Sequence, residues 1–359
     1  MKILHLIAST GTGGAERHVL DLCRSQQALG LTVCVTLPAG NGLDNHLNTA
    51  LDEAGIPRIN IRSGGRWNLF ALWSLNQAIK TFKPDIIHAH MPKSIAMVGH
   101  AGTQVPCVGT AHNIVKQVRP FHYCRQVICV SDMVQHSLLA LEYPRNSTHV
   151  IHNAIDTERF LNSNRFPIRH QLGWEEYFVM LCVARLVPAK GQRYAIEALA
   201  ALRPSHPKLR LALAGSGADQ AMLHALAKRL EVAEQVLFLG NRNDVPDLLA
   251  AADMYLQPSI KEGFGIAFLE AMASRLPCIG TPTGAMPEMI ANGENGLIVK
   301  AADAQALSEA IQSLVSQPEL CQQLADAARR TAQIRFSLPS QARDTLLVYQ
   351  QVLGSELPL

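Results

Sequence analysis

Residues 254–273, MYLQPSIKEGFGIAFLEAMA, pass from an apolar run through a glycine-bearing turn into apolar residues at helical spacing. Met254–Leu256 suits a strand covered on both faces, as in a parallel sheet. The strand leads into a loop holding Glu262, and Gly263-Phe264-Gly265 turns the backbone into a helix that carries Glu270.

The same alternation runs the length of the 359 residues. In the first half, strands are predicted at Ile3–Ala8, Thr32–Leu37, Ile86–His88, Cys107–Thr110, Gln126–Val130 and His149–Ile151. After LNSNRFPIRHQLGW (161–174) the pattern restarts, with strands at Phe178–Val183, Leu209–Ala214, Val236–Leu239, Met254–Leu256, Cys278–Gly280 and Leu297–Val299. The segment Ala304–Leu353 is helical, interrupted at Pro318 and around Ser337–Pro339. The fold class is therefore α/β: two doubly wound Rossmann-like domains facing across a cleft. The expected division is 1–162, rejoined by 340–359, and 163–339.

Composition narrows the function. With 48% hydrophobic and 17% charged residues the chain is globular, and a formal net charge of +3 without Lys/Arg runs argues against nucleic acid. No apolar stretch is long enough to span a bilayer. MKILHLIAST reads as a first strand, and the eight cysteines form no CxxC pair. The expected location is the cytoplasm, with peripheral attachment to the inner membrane left open.

Ligands of open parallel sheets sit beyond the carboxyl ends of the strands. After the first strand, STGTGGAERHV (9–19) offers Gly11, Gly13 and Gly14 for close backbone approach and a helix N-terminus for an anion. It is neither a P-loop nor a dinucleotide fingerprint, because Glu16 stands at the third glycine's place. In VARLVPAKGQ (183–192), Arg185 and Lys190 leave a strand together, as two cations facing a diphosphate would. At 262–270 the turn amides suit phosphate or sugar oxygens, while Glu262 and Glu270 can accept bonds from hydroxyls. No Asp-x-Asp occurs, and His88 and His90 find no Cys or carboxylate to complete a metal site, so no metal and no cofactor are expected. The basic and apolar stretch 116–125, with Lys116, Arg119, Arg125, Val118, Phe121 and Tyr123, suits either an anionic lipid surface or a solvated loop.

Gly-Gly-Ala-Glu-Arg at 13–17, Arg-Leu-x3-Lys-Gly at 185–191 and Glu-Gly-Phe-Gly-x4-Glu at 262–270 together resemble the retaining glycosyltransferases of family 4, which have the GT-B fold. HNAIDTERF (152–160) is similar to the family's Asn-Gly-Val-Asp segment, with Ala154 at the glycine. The resemblance implies that Arg185 and Lys190 stabilise the leaving diphosphate, Glu262 holds the donor sugar, and Glu270 bonds the ribose. It places the base near Gly240, Asn241 and Arg242, and gives Gly13, Gly14, Gly215, Phe264, Gly265 and Ile266 to the donor. His112 is assigned to the transferred sugar and the acceptor face, with Glu16, Arg17, His88 and His90 on the acceptor side.

The expected activity is retaining transfer of a sugar from a UDP- or GDP-sugar to a hydroxyl of a glycolipid, lipopolysaccharide or surface polysaccharide. The alternatives are a GT-B enzyme without a glycosyl acceptor, such as a sugar-nucleotide 2-epimerase, and a two-lobed solute-binding protein.

Overall fold

The computed structural model describes residues 1–8, 14–39, 45–62, 68–160 and 165–354. The chain divides into two compact units, Met1–Ala154 with Leu338–Leu359, and Ile155–Ser337. The first division falls before the expected 162/163 because Ile155 already belongs to the second unit. Its N–H donates to Phe336 O at 3.0 Å, and Ile155 and Phe160 join that unit's core.

The first unit holds seven strands: β1 (Lys2–Ile7), β2 (Thr32–Ala39), β3 (Arg58–Arg62), β4 (Ile86–His90), β5 (Cys107–Ala111), β6 (Gln126–Cys129) and β7 (Thr148–Val150). Its helices are α1 (Gly14–Ala28), α2 (Asn45–Glu53), α3 (Leu69–Phe82), α4 (Met91–Ala101) and α5 (Asp132–Leu139). All pairings are parallel, in the order β3-β2-β1-β4-β5-β6-β7. Strand β3, RINIR, escapes the sequence pattern because it lies at the edge, where Arg58 and Arg62 stay at the surface and Ile61 alone is fully buried.

The second unit's strands are β8 (Phe178–Val183), β9 (Leu209–Ala214), β10 (Val236–Gly240), β11 (Met254–Gln257), β12 (Cys278–Gly280) and β13 (Leu297–Ile298), in the parallel order β10-β9-β8-β11-β12-β13. Around them run α6 (Arg165–Leu172), α7 (Gln192–Leu202), α8 (Gln220–Arg229), α9 (Val245–Ala251), α10 (Ile266–Ala273), α11 (Met286–Met289), α12 (Ala304–Ser316) and α13 (Pro318–Arg335). Asp303 caps α12 by accepting from Ala306 N at 3.0 Å, and Pro318 opens α13 where a missing N–H costs nothing. The last helix, α14 (Leu338–Leu353), buries Val348 and Tyr349 in the core of the first unit.

Each sheet is doubly wound. The strand order reverses between β1 and β4 in the first and between β8 and β11 in the second, which are the switch points where such sheets open a crevice. No helix among the described residues is long and apolar enough to cross a membrane.

Candidate functional site

In the second unit, backbone hydrogen bonds join the loops that leave β8, β9 and β11. Leu186 N donates to Ser216 O at 2.9 Å, Asp219 N to Leu186 O at 3.0 Å, and both Ile260 N and Lys261 N to Ala189 O at 2.9 and 3.0 Å. The approach leaves no room for side chains at Gly191, Gly215 and Gly217, and at two of them φ is positive as well. At Gly215 (φ 137°) a Cβ would stand 2.1 Å from Ala184 O, and at Gly191 (φ 66°) 2.0 Å from Pro258 O. Only glycine adopts these conformations without strain.

These loops bring Lys190 and Glu262 together. Lys190 Nζ lies 2.6 and 2.8 Å from the two carboxylate oxygens of Glu262. Glu262 Oε2 also accepts from Gln257 Nε2 at 2.6 Å and Ser259 Oγ at 3.0 Å. Tyr255 donates its hydroxyl to Gln257 Oε1 at 3.1 Å, which orients the amide. Burial raises the Tyr255 phenol's pKa well above its usual value, with Cys182 and the Glu270 carboxylate adding to the effect, so the phenol remains a donor. Tyr255, Gln257 and Ser259 were not singled out from sequence. Their signal is the two-residue spacing that sets all three on one face of β11 and its continuation.

Arg185 is exposed, and its guanidinium pairs with no carboxylate among the described residues. Gly265 (φ 96°) caps the start of α10, whose first turn presents amides without intrahelical acceptors; Ile266, the first helical residue, is exposed. The Phe264 ring meets Phe336 edge-on, and Glu270 is partly buried on α10. Asn241, after β10, accepts from Ser216 Oγ at 2.9 Å. Arg242 is held by Asp244 at 2.8 and 2.5 Å, a bond that lowers the Asp244 pKa. These loops thus present the unmatched Arg185 guanidinium, a lysine already shared with a carboxylate, and a helix N-terminus. Together these suit an anion accompanied by hydroxyl groups.

At the first unit's switch point the polar groups are mostly imidazoles. Parallel register sets His5 abreast of His88 and Ile7 abreast of His90 at the β1/β4 switch point, while Thr110 on β5 lies beside His90. His88 bonds Tyr349 Oη and Thr110 Oγ1, both at 2.6 Å, and His90 bonds His5 at 3.0 Å and His112 at 3.3 Å. Both rings have zero exposure. The expectation that His88 and His90 touch an acceptor is therefore corrected: both nitrogens of each ring are engaged inside the protein, and these residues stand behind His112. Ring atoms of His5, His88 and His90, and of His18, His90 and His112, lie within 4.8 Å of one another, so the pair seen in sequence does gain neighbours, all of them histidines. His5 and His18 were missed because they sit in a strand and a helix distant in sequence. Burial lowers both pKa values to about 4, opposed at His5 by the Gln26 carbonyl that accepts from the ring.

His112 follows β5 and lines a cavity of about 540 Å³ with Met91, Lys93, Ile114, Lys116 and Phe121. In the stretch 116–125, Lys116, Arg119, Tyr123 and Arg125 are exposed, but Phe121 is fully buried and Val118 packs on the core, so its apolar members turn largely inward. Gly13 lies outside the described residues, and Gly14 opens α1. Glu16 is buried, and Arg17 reaches Asp21 at 2.6 Å.

Residues 12–159 match the family model described as Glycosyltransferase Family 4, and residues 164–331 that of Glycosyl transferases group 1. A putative glycosyltransferase, EpsD of Bacillus subtilis, is 31% identical over 298 residues, 75% of this chain and 77% of EpsD. The lipopolysaccharide core biosynthesis glycosyltransferase LpsE of Rhizobium meliloti is 26% identical over 359 residues, 99% of this chain and all of LpsE. Among solved structures, Anabaena Alr3699/HepE in complex with UDP superposes with a TM-score of 0.86 at 26% identity, over 98% of this chain and 100% of that one.

Proposed function

The chain belongs to glycosyltransferase family 4, of GT-B fold, and from that premise we propose that it moves a sugar from a UDP- or GDP-sugar to a hydroxyl of a glycolipid, lipopolysaccharide or surface polysaccharide, with retention at the anomeric carbon. The observation that carries this reading is the Lys190–Glu262 pair on loops locked by Gly191 and Gly215, with the exposed Arg185 on the same loop as Lys190. HepE, whose structure contains UDP, supports a nucleotide-linked donor, and LpsE supports a lipopolysaccharide acceptor.

In this reading the second unit takes the donor and the first the acceptor. The diphosphate draws on Arg185 and on the Lys190 ammonium, which turns from Glu262 as the anion arrives. These cations stabilise the charge that develops on the leaving group, the work a divalent metal performs elsewhere. Glu262, held by Gln257 and Ser259, keeps acceptor capacity for the donor sugar's hydroxyls. Glu270 takes the ribose, Phe264, Gly265 and Ile266 line the sugar and diphosphate, and Gly215, Asn241 and Arg242 border the base. Gly14, which opens α1, serves the donor, and Glu16 and Arg17 in its first turn serve the acceptor. His112 meets a sugar hydroxyl, and Lys93 and Lys116 give its cavity a cationic rim for an anionic acceptor. Leu69, Phe70 and Trp73 on α3 are exposed, which supports peripheral contact with a membrane.

The test is to incubate the protein with UDP- and GDP-sugars, with and without lipid-linked and polysaccharide acceptors, and to read the product's anomeric coupling by NMR. Acceptor-dependent release of nucleoside diphosphate with unchanged anomeric configuration is expected. Acceptor-independent isomerisation of the sugar contradicts the reading in favour of an epimerase.

A further inference from the structure

The histidines of the first unit belong to one continuous string of hydrogen bonds. His112 Nε2 meets His90 Nδ1 at 3.3 Å, His90 Nε2 meets His5 Nδ1 at 3.0 Å, and His5 Nε2 meets Gln26 Oε1 at 2.8 Å. Gln26 Nε2 donates to Tyr349 Oη at 3.0 Å, and that phenol meets His88 Nδ1 at 2.6 Å. His88 Nε2 ends the string on Thr110 Oγ1 at 2.6 Å. His5, Gln26, His88, His90, Thr110 and Tyr349 all have zero exposure, so no link is exchanged for bulk water.

A neutral imidazole donates from one nitrogen and accepts at the other. Burial lowers the pKa of His5 to about 4 and those of His88, His90 and His112 well below 6.5, so all four rings are neutral near pH 7. In such a row, the direction of any one bond fixes every other. Gln26 supplies that direction. Its carbonyl faces His5, so His5 carries its proton on Nε2 and accepts at Nδ1. His90 must then donate from Nε2 and accept at Nδ1, and His112 must donate from Nε2. On the other branch Gln26 donates to Tyr349, which leaves the phenol proton for His88 Nδ1 and the His88 Nε2 proton for Thr110. Every link of the string has one donor and one acceptor in this register. Its reversal requires the buried Gln26 amide to turn over and the proton of every link to move with it.

We propose that Gln26 and Tyr349 are positioning residues that lock His112 in the Nε2–H tautomer, so that its bare Nδ1 accepts a hydrogen bond from a sugar hydroxyl. His112 Nδ1 has no protein partner among the described residues, and His112 borders the cavity described above. The identity of the hydroxyl rests on the transferase reading; the tautomer does not. Helix α14 therefore contributes, through Tyr349, to a group four hydrogen bonds away along the string. The string occupies both ring nitrogens of His90, so a metal at His18, His90 and His112 would have to break it there.

The experiment is long-range ¹H–¹⁵N correlation of the full-length protein labelled with ¹⁵N-histidine at pH 7.5, for the native sequence and for Gln26→Leu and Tyr349→Phe. The native His112 is expected as Nε2–H. Gln26→Leu removes the carbonyl acceptor and moves His112 toward the Nδ1–H form, while Tyr349→Phe, the milder change, gives a mixture. In both variants kcat falls roughly tenfold, the scale of one hydrogen bond, with the donor KM unchanged. An Nδ1–H His112 in the native protein, an unchanged tautomer in a folded Gln26→Leu or Tyr349→Phe variant, or uptake of Zn²⁺ that displaces these ring protons overturns the proposal. Because the NMR needs no substrate, expected tautomers in a protein that turns over no nucleotide-sugar count against the transferase reading and leave the string standing.

Discussion

The two units share a winding and differ in how they hold polar groups at the switch point. In the first, neutral imidazoles, an amide, a phenol and a threonine satisfy one another inside the core, and His112 emerges at the end of the row. In the second, backbone contacts between loops fix the geometry, and charges sit on top of them. The difference follows from what each would hold. Hydroxyl groups are oriented by donors and acceptors of fixed direction, and a buried uncharged network supplies these without attracting counter-ions. A diphosphate requires positive charge, and charge is tolerated where it is paired and part-exposed, as in Lys190 and Glu262 with side-chain exposures of 20% and 7%.

That comparison can be broken first with acid. His5 has a folded pKa of about 4 against 6.5 unfolded, so the unfolded state binds the extra proton. Its contribution is fully present above pH 6.5 and is lost as pH falls toward 4, about 3 kcal/mol from this ring alone, with His88 and His90 adding in the same direction. Hydrogen exchange followed by mass spectrometry at pH 7.5 and 5 should show the first unit opening while the second stays protected. Equal loss in both units contradicts the contrast. Next in size, Lys190→Met is expected to lower kcat/KM roughly 10²–10³-fold, since a charge facing the leaving group is lost. It also leaves Glu262 uncompensated at a cost of about 3 kcal/mol, measurable by urea unfolding. Glu262→Gln, which keeps Gln257 and Ser259 nearby, should be far less destabilising.

A smaller effect tests the backbone. Gly191→Ala meets Pro258 O as well as a positive φ and is expected to cost more than about 2 kcal/mol, whereas Gly30→Ala, at φ 79° with nothing within 4 Å, costs only the conformational penalty of about 1–2 kcal/mol. If both unfold at the same denaturant concentration, the loops do not rest on that close approach. Smallest is Arg242→Ala: its pair with Asp244 is part-exposed, so stability should change by less than about 1 kcal/mol, and calorimetry should show nucleotide affinity weakened by no more than about fivefold.

Much of this was legible in sequence where strands are buried on both sides. Among the described residues, twelve of the thirteen strands carry apolar runs that the pattern picks out, and the missing one, β3, carries a single buried isoleucine and an arginine at each end. The cation and glutamate motifs of the second unit are local in sequence, because each occupies one loop, and their neighbours Gln257 and Ser259 could have been read from the alternation along β11. The first unit's row was not legible. Its members come from β1, α1, β4, β5 and α14, and only parallel register and a returning helix bring residues 5, 26, 88, 90, 112 and 349 together. His88 and His90 were visible as a pair, but their burial, which turns them from contact groups into supports, is a property of the packed sheet.

The most direct measurement is a crystal structure of the protein soaked with UDP or GDP. The diphosphate should lie within hydrogen-bonding distance of the Arg185 guanidinium and the Lys190 ammonium, with the Lys190–Glu262 bond lengthened or opened. A nucleotide bound with its phosphates away from Arg185, or no nucleotide at all beside an intact Lys190–Glu262 pair, contradicts the account.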